Sequence, residues 1–169
     1  MKIVIVLALA LVAPLVAVSA NVDSDRQFYE KAAQGGMTEV ELGNLAQQKS
    51  SNPDVKDFGA MMVADHSSAN QKLQAVADAK NMTLPTTIGL KNASIKTKLG
   101  ALSGKAFDKA YIQDMIKDHE EDIALFKKEA SMGADADAKA FAQATLPTLE
   151  AHLTKIRSLA EEAGVTASR

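Results

Sequence analysis

Apolar residues recur every three to four positions in four long segments of the chain, which is the spacing of an amphipathic helix. Ser24 or Asp25 can cap the first predicted helix, and Pro53 suits the first turn of the second. Pro147 lies inside the fourth pattern, and we expect it to kink or interrupt that helix because it has no backbone N–H to donate. The predicted helices cover about residues 24–50, 53–80, 107–132 and 135–163.

The second and third helices are separated by a long connection, residues 81–105. Joins between helices in a simple up-and-down bundle take roughly two to eight residues, so this segment is long enough to cross the length of a bundle. It contains a weaker helical pattern from Leu90 to Leu102. Two helical hairpins joined by one long crossover predict an all-α, ferritin-like four-helix bundle.

The N-terminal stretch, MKIVIVLALALVAPLVAVSA, has the order of a secretory signal peptide: one lysine, an apolar run and small residues at the end. We predict cleavage after Ala20 and exclude residues 1–20 from the fold, which leaves residues 21–169 as a single bundle domain. The apolar core is short for a bilayer span of about 20 residues, although a retained anchor is the alternative. After cleavage no membrane span is expected.

The composition narrows the chemistry that this chain can perform. Without Lys2 it has 18 basic against 21 acidic residues, and no basic patch interleaved with aromatics, so nucleic acid is not an expected partner. The absence of cysteine excludes thiol catalysis and thiolate metal sites. No nucleophile elbow or phosphate-binding glycine loop is present, so we predict no catalytic residue and do not expect an enzyme.

The three histidines of the chain each lie on the apolar face of a different predicted helix. The remaining helix carries Glu39 on its apolar face, and the rise per residue places Glu39 and His66 each roughly 20 Å from the turn at Asn52. His119 and His152 also fall near mid-bundle. Carboxylate and imidazole groups that project inward from four helices can build a metal site. A hydrogen-bonded polar core satisfies the same groups without a metal, and the sequence leaves both interpretations open.

Three imidazoles and one carboxylate suit zinc, and iron, manganese or copper also accept them. The paired Glu-x-x-His motifs of di-iron centres are absent, because Val63, Ile116 and Leu149 stand three residues before the histidines. Ferroxidase activity is therefore not expected. Met62 and Met115 each lie one turn before a histidine, where they are further candidate ligands for copper(I) or simply fill the core.

Asp65 and Asp118 immediately precede His66 and His119. One residue turns a side chain by about 100° around a helix, so both aspartates are expected beside the inward face. From there each could accept a hydrogen bond from an imidazole of a neighbouring helix and fix its tautomer. We nevertheless expect a salt bridge to Lys or Arg at the bundle boundary, with the hydrogen bond to an imidazole as the alternative.

Four motifs occur in order along the chain: E-V-E-L-G-x-L-A, M-V-x-D-H, A-Y-x-x-x-M-[IV]-x-D-H and L-P-x-L-x-x-H-L. With the sequence around them, from about Asp25 to Ala163, they resemble the bacterial domain-of-unknown-function family 4142. The resemblance implies an exported ferritin-like protein of the periplasm or outer membrane, and it implies no particular activity. The residues that it points to are Glu39, Asp65, His66, Asp118, His119 and His152.

Together these observations predict a transition metal bound in the middle of the bundle, with a metal-handling or stress-protection role in the periplasm. The alternative is a non-catalytic structural or interaction module of the envelope whose His/Glu core holds no metal. The sequence does not choose among zinc, iron and copper. It also leaves open a protein partner and a homo-oligomer.

Overall fold

The computed structural model describes the backbone of residues 16–166 and the side chains of residues 24–166. Residues 1–15, most of the predicted signal peptide, lie outside the described residues. Between residues 16 and 166 the chain forms five helices and no strand, which confirms the all-α prediction. The helices are α1 (Val16–Lys49), α2 (Pro53–Ala79), α3 (Gly89–Gly100), α4 (Gly104–Met132) and α5 (Ala136–Glu162).

The four long helices pair as two hairpins, α1 with α2 and α4 with α5. The connection between the hairpins contains the short helix α3, which packs mainly on α1. This is the ferritin-like four-helix bundle with a long crossover that the sequence predicts. Within the described range no helix is long and apolar enough to cross a membrane.

The predicted N-cap of the first helix is wrong, because α1 already begins at Val16 and contains both Ser24 and Asp25. No proline or glycine interrupts the chain between Val16 and Asp25, so the helix continues through them. The carboxylate of Asp25 instead accepts hydrogen bonds from the backbone amides of Ala134 and Asp135, at 3.0 and 2.7 Å. Asp25 therefore ties α1 to the turn between α4 and α5.

From the sequence, Pro147 is expected to kink or interrupt the last helix of the chain. An interruption does not occur, since α5 runs unbroken from Ala136 to Glu162 with Pro147 inside it. Proline leaves the carbonyl of residue 143 without its helical partner. Pro147 and Gln143 are both exposed, so water can satisfy that carbonyl and the helix is not forced to end.

Two clusters of buried apolar side chains fill the bundle, and the three histidines lie between them along the helices. One cluster contains Phe58, Met62, Met115 and Ile156 among others. The other is built around aromatic contacts of Phe28 with residues 126 and 141. Burial of these side chains supplies the main driving force for folding. The histidines therefore form a polar layer inside an otherwise apolar interior.

Helices α1 and α2 approach each other closely at two glycines. A Cβ atom placed on Gly59 would lie 2.7 Å from the carbonyl oxygen of Gly43 and 2.7 Å from the Cβ of Ala46. A Cβ atom on Gly43 would lie 2.6 Å from the carbonyl oxygen of Gly59. All three distances are too short for real contacts, and two of them involve backbone oxygens that cannot rotate away. The spacing of this hairpin thus depends on the absence of side chains at both positions.

We predict that Gly59→Ala separates α1 from α2 and destabilises the fold by about 2 kcal/mol, which lowers the melting temperature by roughly 4 to 8 °C. Gly100→Ala is the matched control, because nothing lies within 4 Å of a Cβ at that position. Alanine is the better helix former, so the control should melt no lower than the wild type. Thermal unfolding followed by circular dichroism measures both. Equal melting temperatures for the two variants would contradict the close approach.

Candidate metal centre

His66, His119 and His152 converge from α2, α4 and α5 to one place in the bundle interior. Each offers one ring nitrogen to a group in which all three atoms lie within 4.8 Å of one another. The residues are 5%, 0% and 2% exposed, respectively. Their ring centroids are 5.4 to 5.8 Å apart. The helical periodicity therefore identified three side chains that meet in space.

The tautomer of His119 is fixed by its own helix. Its Nδ1 lies 2.9 Å from the carbonyl oxygen of Met115, one turn earlier in α4. A carbonyl oxygen can only accept a hydrogen bond, so Nδ1 must carry the proton and donate it. In the neutral ring Nε2 then has a free lone pair, and Nε2 is the atom that faces His152.

The tautomer of His152 is fixed by a different helix. Its Nε2 lies 2.8 Å from Oδ2 of Asp65 in α2, and a carboxylate oxygen accepts, so Nε2 is the donor. The free lone pair is therefore on Nδ1, which lies 3.4 Å from Nε2 of His119. The single N–H of each ring already donates to Met115 or to Asp65. Two nitrogens that can only accept therefore face each other, and no hydrogen bond joins them.

His66 adds a third nitrogen without a partner. Its Nε2 is buried and makes no hydrogen bond to any atom of residues 24–166. Burial and the two neighbouring imidazoles lower the pKa of His66 to about 3, and burial with His152 lowers that of His119 to about 4. Burial also lowers the pKa of His152, although Asp65 opposes this. All three rings are consequently neutral near pH 7, and a proton does not relieve the contact between their lone pairs.

The distance between the facing nitrogens fits a shared metal ion. Two nitrogen ligands at about 2 Å from one ion, with tetrahedral or trigonal angles, are roughly 3.3 to 3.5 Å apart. The 3.4 Å between Nε2 of His119 and Nδ1 of His152 falls in that range. The hydrogen bonds to Met115 and Asp65 fix the orientation of each ring through its other nitrogen, as backbone carbonyls and carboxylates commonly do for metal-bound histidines.

Glu39, the fourth predicted ligand, does not join this group. It is fully buried, but its Oε1 lies 3.9 Å from Nδ1 of His119, the nitrogen that points to the backbone and away from the other rings. Among the described residues, no donor lies at hydrogen-bond distance and angle from either of its carboxyl oxygens. Burial, with Asp118 close by, raises the pKa of Glu39 well above its ordinary value. The structure thus brings together three of the four predicted donors.

The two aspartates that precede histidines have different surroundings. Asp65 accepts the hydrogen bond from His152, so it orients an imidazole of a neighbouring helix and does not form the expected Lys or Arg salt bridge. Asp118 lies beside Glu39 instead, and no hydrogen bond joins it to an imidazole among the described residues. Equivalent sequence positions therefore have different neighbours, because α2 and α4 face different helices on that side.

The side chains of Met62 and Met115 are part of the apolar core. Met62 and Met115 are both fully buried in the apolar cluster that also contains Phe58. The ring of Phe58 lies 6.4 Å from the ring centroids of both His119 and His152. Phe58 is a neighbour of the site that sequence reasoning missed, since an aromatic residue on a helix stripe resembles any other core residue. It keeps one side of the imidazoles in apolar surroundings.

A group of carboxylates on α4 was also missed. Asp114, Asp118 and Asp122 follow one another at intervals of four residues, so they share one face of the helix. The pKa of Asp114 is raised to about 6 and that of Asp122 to about 8, in each case by burial first and by Asp118 second. The four-residue spacing was visible in the sequence, but an acidic stripe on a helix usually faces solvent.

Fold and site together define a ferritin-like helical bundle with a buried cluster of three histidines. The profile of the family described as domain of unknown function DUF4142 matches residues 11–159, and the chain belongs to that family. This confirms the family that the four sequence motifs indicate. No curated protein matches the chain.

Solved structures share the fold at low sequence identity. A DUF305 protein of Streptomyces coelicolor, described as secreted, superposes with a TM-score of 0.73 at 15% identity, covering 86% of this chain and 97% of its own. A DUF305 fragment from Deinococcus radiodurans has a TM-score of 0.72 at 12% identity, with 82% and 96% covered. CopM in its Cu(I)-bound form has a TM-score of 0.67 at 13% identity, with the same coverage. These likenesses establish the fold.

We predict that, in the metal-free protein at pH 7.5, His119 carries its proton on Nδ1 and His152 on Nε2. Long-range proton–nitrogen NMR correlation spectra distinguish these tautomers directly. From pH 7.5 to 5 the ring shifts of His66 and His119 should stay constant, because an imidazole stays neutral above its pKa and theirs lie near 3 and 4. A free histidine titrates near 6.5. Titration of either ring above pH 6, or the opposite tautomer at His152, would refute the arrangement.

Proposed function

We propose that this protein binds one transition-metal ion in the middle of its bundle through His66, His119 and His152. One observation carries the proposal: Nε2 of His119 and Nδ1 of His152 face each other at 3.4 Å, and the proton of each ring is on its other nitrogen. Two neutral acceptors at that distance in an apolar interior are unfavourable without a cation between them. A purely hydrogen-bonded core, the alternative from the sequence, would also leave Nε2 of His66 unsatisfied.

Copper(I) is the ion that suits this site best. The charge of Cu(I) is offset by one carboxylate, Asp65, which is hydrogen-bonded to His152. A divalent ion would carry one more positive charge than the Asp65 carboxylate can offset. Uncompensated charge is costly in a buried site. Imidazole is an accepted copper ligand, and the fold is shared with CopM, which has been solved with Cu(I) and with silver.

The site favours holding an ion over turning over a substrate. The cavity beside His66 has a volume of about 20 Å³, enough for one water molecule. Catalytic metal sites keep a position open for water or substrate, whereas this one is enclosed by helices and Phe58. We therefore assign no catalytic residue, and the role we propose is metal handling or protection against metal stress.

We further propose that the protein acts after export to the periplasm. The order of charged, apolar and small residues in positions 1–20 supports a signal peptide, with residues 21–169 as the functional domain. The similar fold of a DUF305 protein that is described as secreted is consistent with export. A cysteine-free binding site made of imidazoles would not be lost to disulfide formation in an oxidising compartment.

The experiment is an anaerobic titration of untagged residues 21–169 with Cu(I), in competition with a coloured Cu(I) chelator. We expect one ion per chain, and we expect His119→Ala to weaken binding at least 100-fold, because it removes one ligand and the ring that faces His152. Met62→Leu is the control of similar volume on the neighbouring turn, and its affinity should stay within about threefold of the wild type if the thioether only packs.

Zinc and iron(II) are titrated in parallel. Tighter binding of either would correct the choice of ion and leave the three-histidine site in place. If the protein takes up no transition metal and its melting temperature does not respond to any of them, the proposed function fails and the envelope interaction module becomes the better account.

A further inference from the structure

Two cavities near the histidines share one residue, Asp122. The outer one is a groove of about 520 Å³ on the surface, bounded by α1, the start of α3 and α4. The inner one is the small internal cavity of about 20 Å³ beside His66. Asp122 lines both, so it stands between the surface groove and the interior. In the described part of the chain no other residue is common to these two cavities.

The groove is acidic along the α4 side. Asp118, Glu121 and Asp122 all line it. Glu121 is paired with Lys91 at 3.3 Å, whereas no salt bridge to a lysine or arginine involves Asp118 or Asp122 among the described side chains. Neither carboxyl therefore has a cationic partner among the described side chains, which leaves this position for a cation from solution. Burial, with Asp118 and Glu121 nearby, raises the pKa of Asp122 to about 8, as expected for a carboxyl without a cationic partner.

The inner cavity is lined by one of the three histidines. His66 lines it and is 5% exposed, and its Nε2 makes no hydrogen bond in the protein. The side-chain groups of Asn70 and Thr145 also line the cavity, so it is not wholly apolar. A cavity of this size holds one water or one bare ion and nothing larger. Asp122 and His66 thus line the same small cavity, together with two further polar residues.

Gly35 keeps the outer side of this boundary open. A Cβ placed on Gly35 would lie 3.6 Å from both carboxyl oxygens of Asp122. Gly35 also lines the groove, so a larger side chain there would cover the Asp122 carboxyl. Because Gly35 and Gly36 have no side chains, α1 does not cover the acidic face of α4 where the two helices meet.

We propose that Asp122 is the uptake site for the metal, where a cation from the groove is first bound before it reaches His66 and the histidine cluster. This proposal rests on the proposed function, because it concerns how the same site is filled. It assigns to Asp122 a role that differs from that of a ligand in the final complex. A group on the route lowers the barrier for both uptake and release, whereas a ligand changes the equilibrium affinity.

A rival route starts from Asp65, whose side chain is 44% exposed and touches His152 directly. Along that route the ion would meet His152 Nε2, which is the protonated nitrogen, and the ring would have to turn over before it could bind. The route from Asp122 reaches His66, whose Nε2 has no hydrogen bond to break within the described part of the chain. The geometry therefore favours Asp122.

The test uses Cu(I) presented as its coloured chelate under nitrogen to the metal-free protein. The loss of chelate colour with time gives the uptake rate, and its end point gives the dissociation constant. We compare Asp122→Asn, which has the same shape without the charge, with Asp57→Asn, an exposed position on α2. Gly35→Leu covers the carboxyl, and Gly35→Ala, whose Cβ fits at ordinary contact distance, is its graded partner. Circular dichroism melts confirm that each variant folds.

We expect Asp122→Asn and Gly35→Leu to slow uptake at least tenfold while the dissociation constant stays within threefold of the wild type. Gly35→Ala should slow uptake less than Gly35→Leu, and Asp57→Asn should not slow it. Uptake by Asp122→Asn within twofold of the wild-type rate would overturn the proposal and leave the histidine site intact. A weakened end point would equally overturn it, since Asp122 would then act in the bound state. Failure of the wild type to take up Cu(I) would overturn this proposal and the proposed function together.

Discussion

The rest of this structure is organised around the contact between two imidazole nitrogens that both lack a proton. Nδ1–H of His119 donates a hydrogen bond to the carbonyl of Met115, and Nε2–H of His152 donates one to Asp65, so the lone pairs on the other two nitrogens face each other at 3.4 Å. His66 brings a further unpartnered nitrogen to the same place. In water such groups would be solvated, but here they are enclosed between two apolar clusters. The cation that we propose would remove the repulsion and satisfy all three rings.

The two apolar clusters stabilise the fold enough to offset the cost of burying the three histidines. Buried polar groups without partners destabilise a fold by roughly 1 to 3 kcal/mol each, and the hydrophobic packing on both sides of the histidine layer offsets that cost. The close approach of α1 and α2 at Gly43 and Gly59 helps to hold the packing together. Two carboxyls lie outside the histidine cluster: Asp65 accepts a hydrogen bond from His152 and orients its ring, while Asp122 lines the surface groove. Metal binding should therefore stabilise a fold that already exists.

The sequence was sufficient for the fold and for most of the site. Helical periodicity and the length of the crossover predicted the bundle, and the rise per residue placed the three histidines near the middle of it. The same reasoning could not place Glu39, because a helix stripe shows which side chains point inward but not which neighbouring ring they meet. Asp25 was assigned to its own helix although its partners are Ala134 and Asp135, and no local pattern encodes a contact over that separation. The pairing of Asp65 with His152 is equally non-local.

The central claim is that three imidazole nitrogens, and no sulfur, bind the ion. X-ray absorption spectroscopy of the protein loaded with one equivalent of Cu(I) tests it most directly, because nitrogen and sulfur scatter differently and lie at different distances. Our account predicts a shell of three nitrogen atoms near 2 Å and no sulfur shell. A sulfur shell near 2.3 Å would identify Met62 or Met115 as a ligand. Fewer than two nitrogen atoms in the first shell would contradict the three-histidine site.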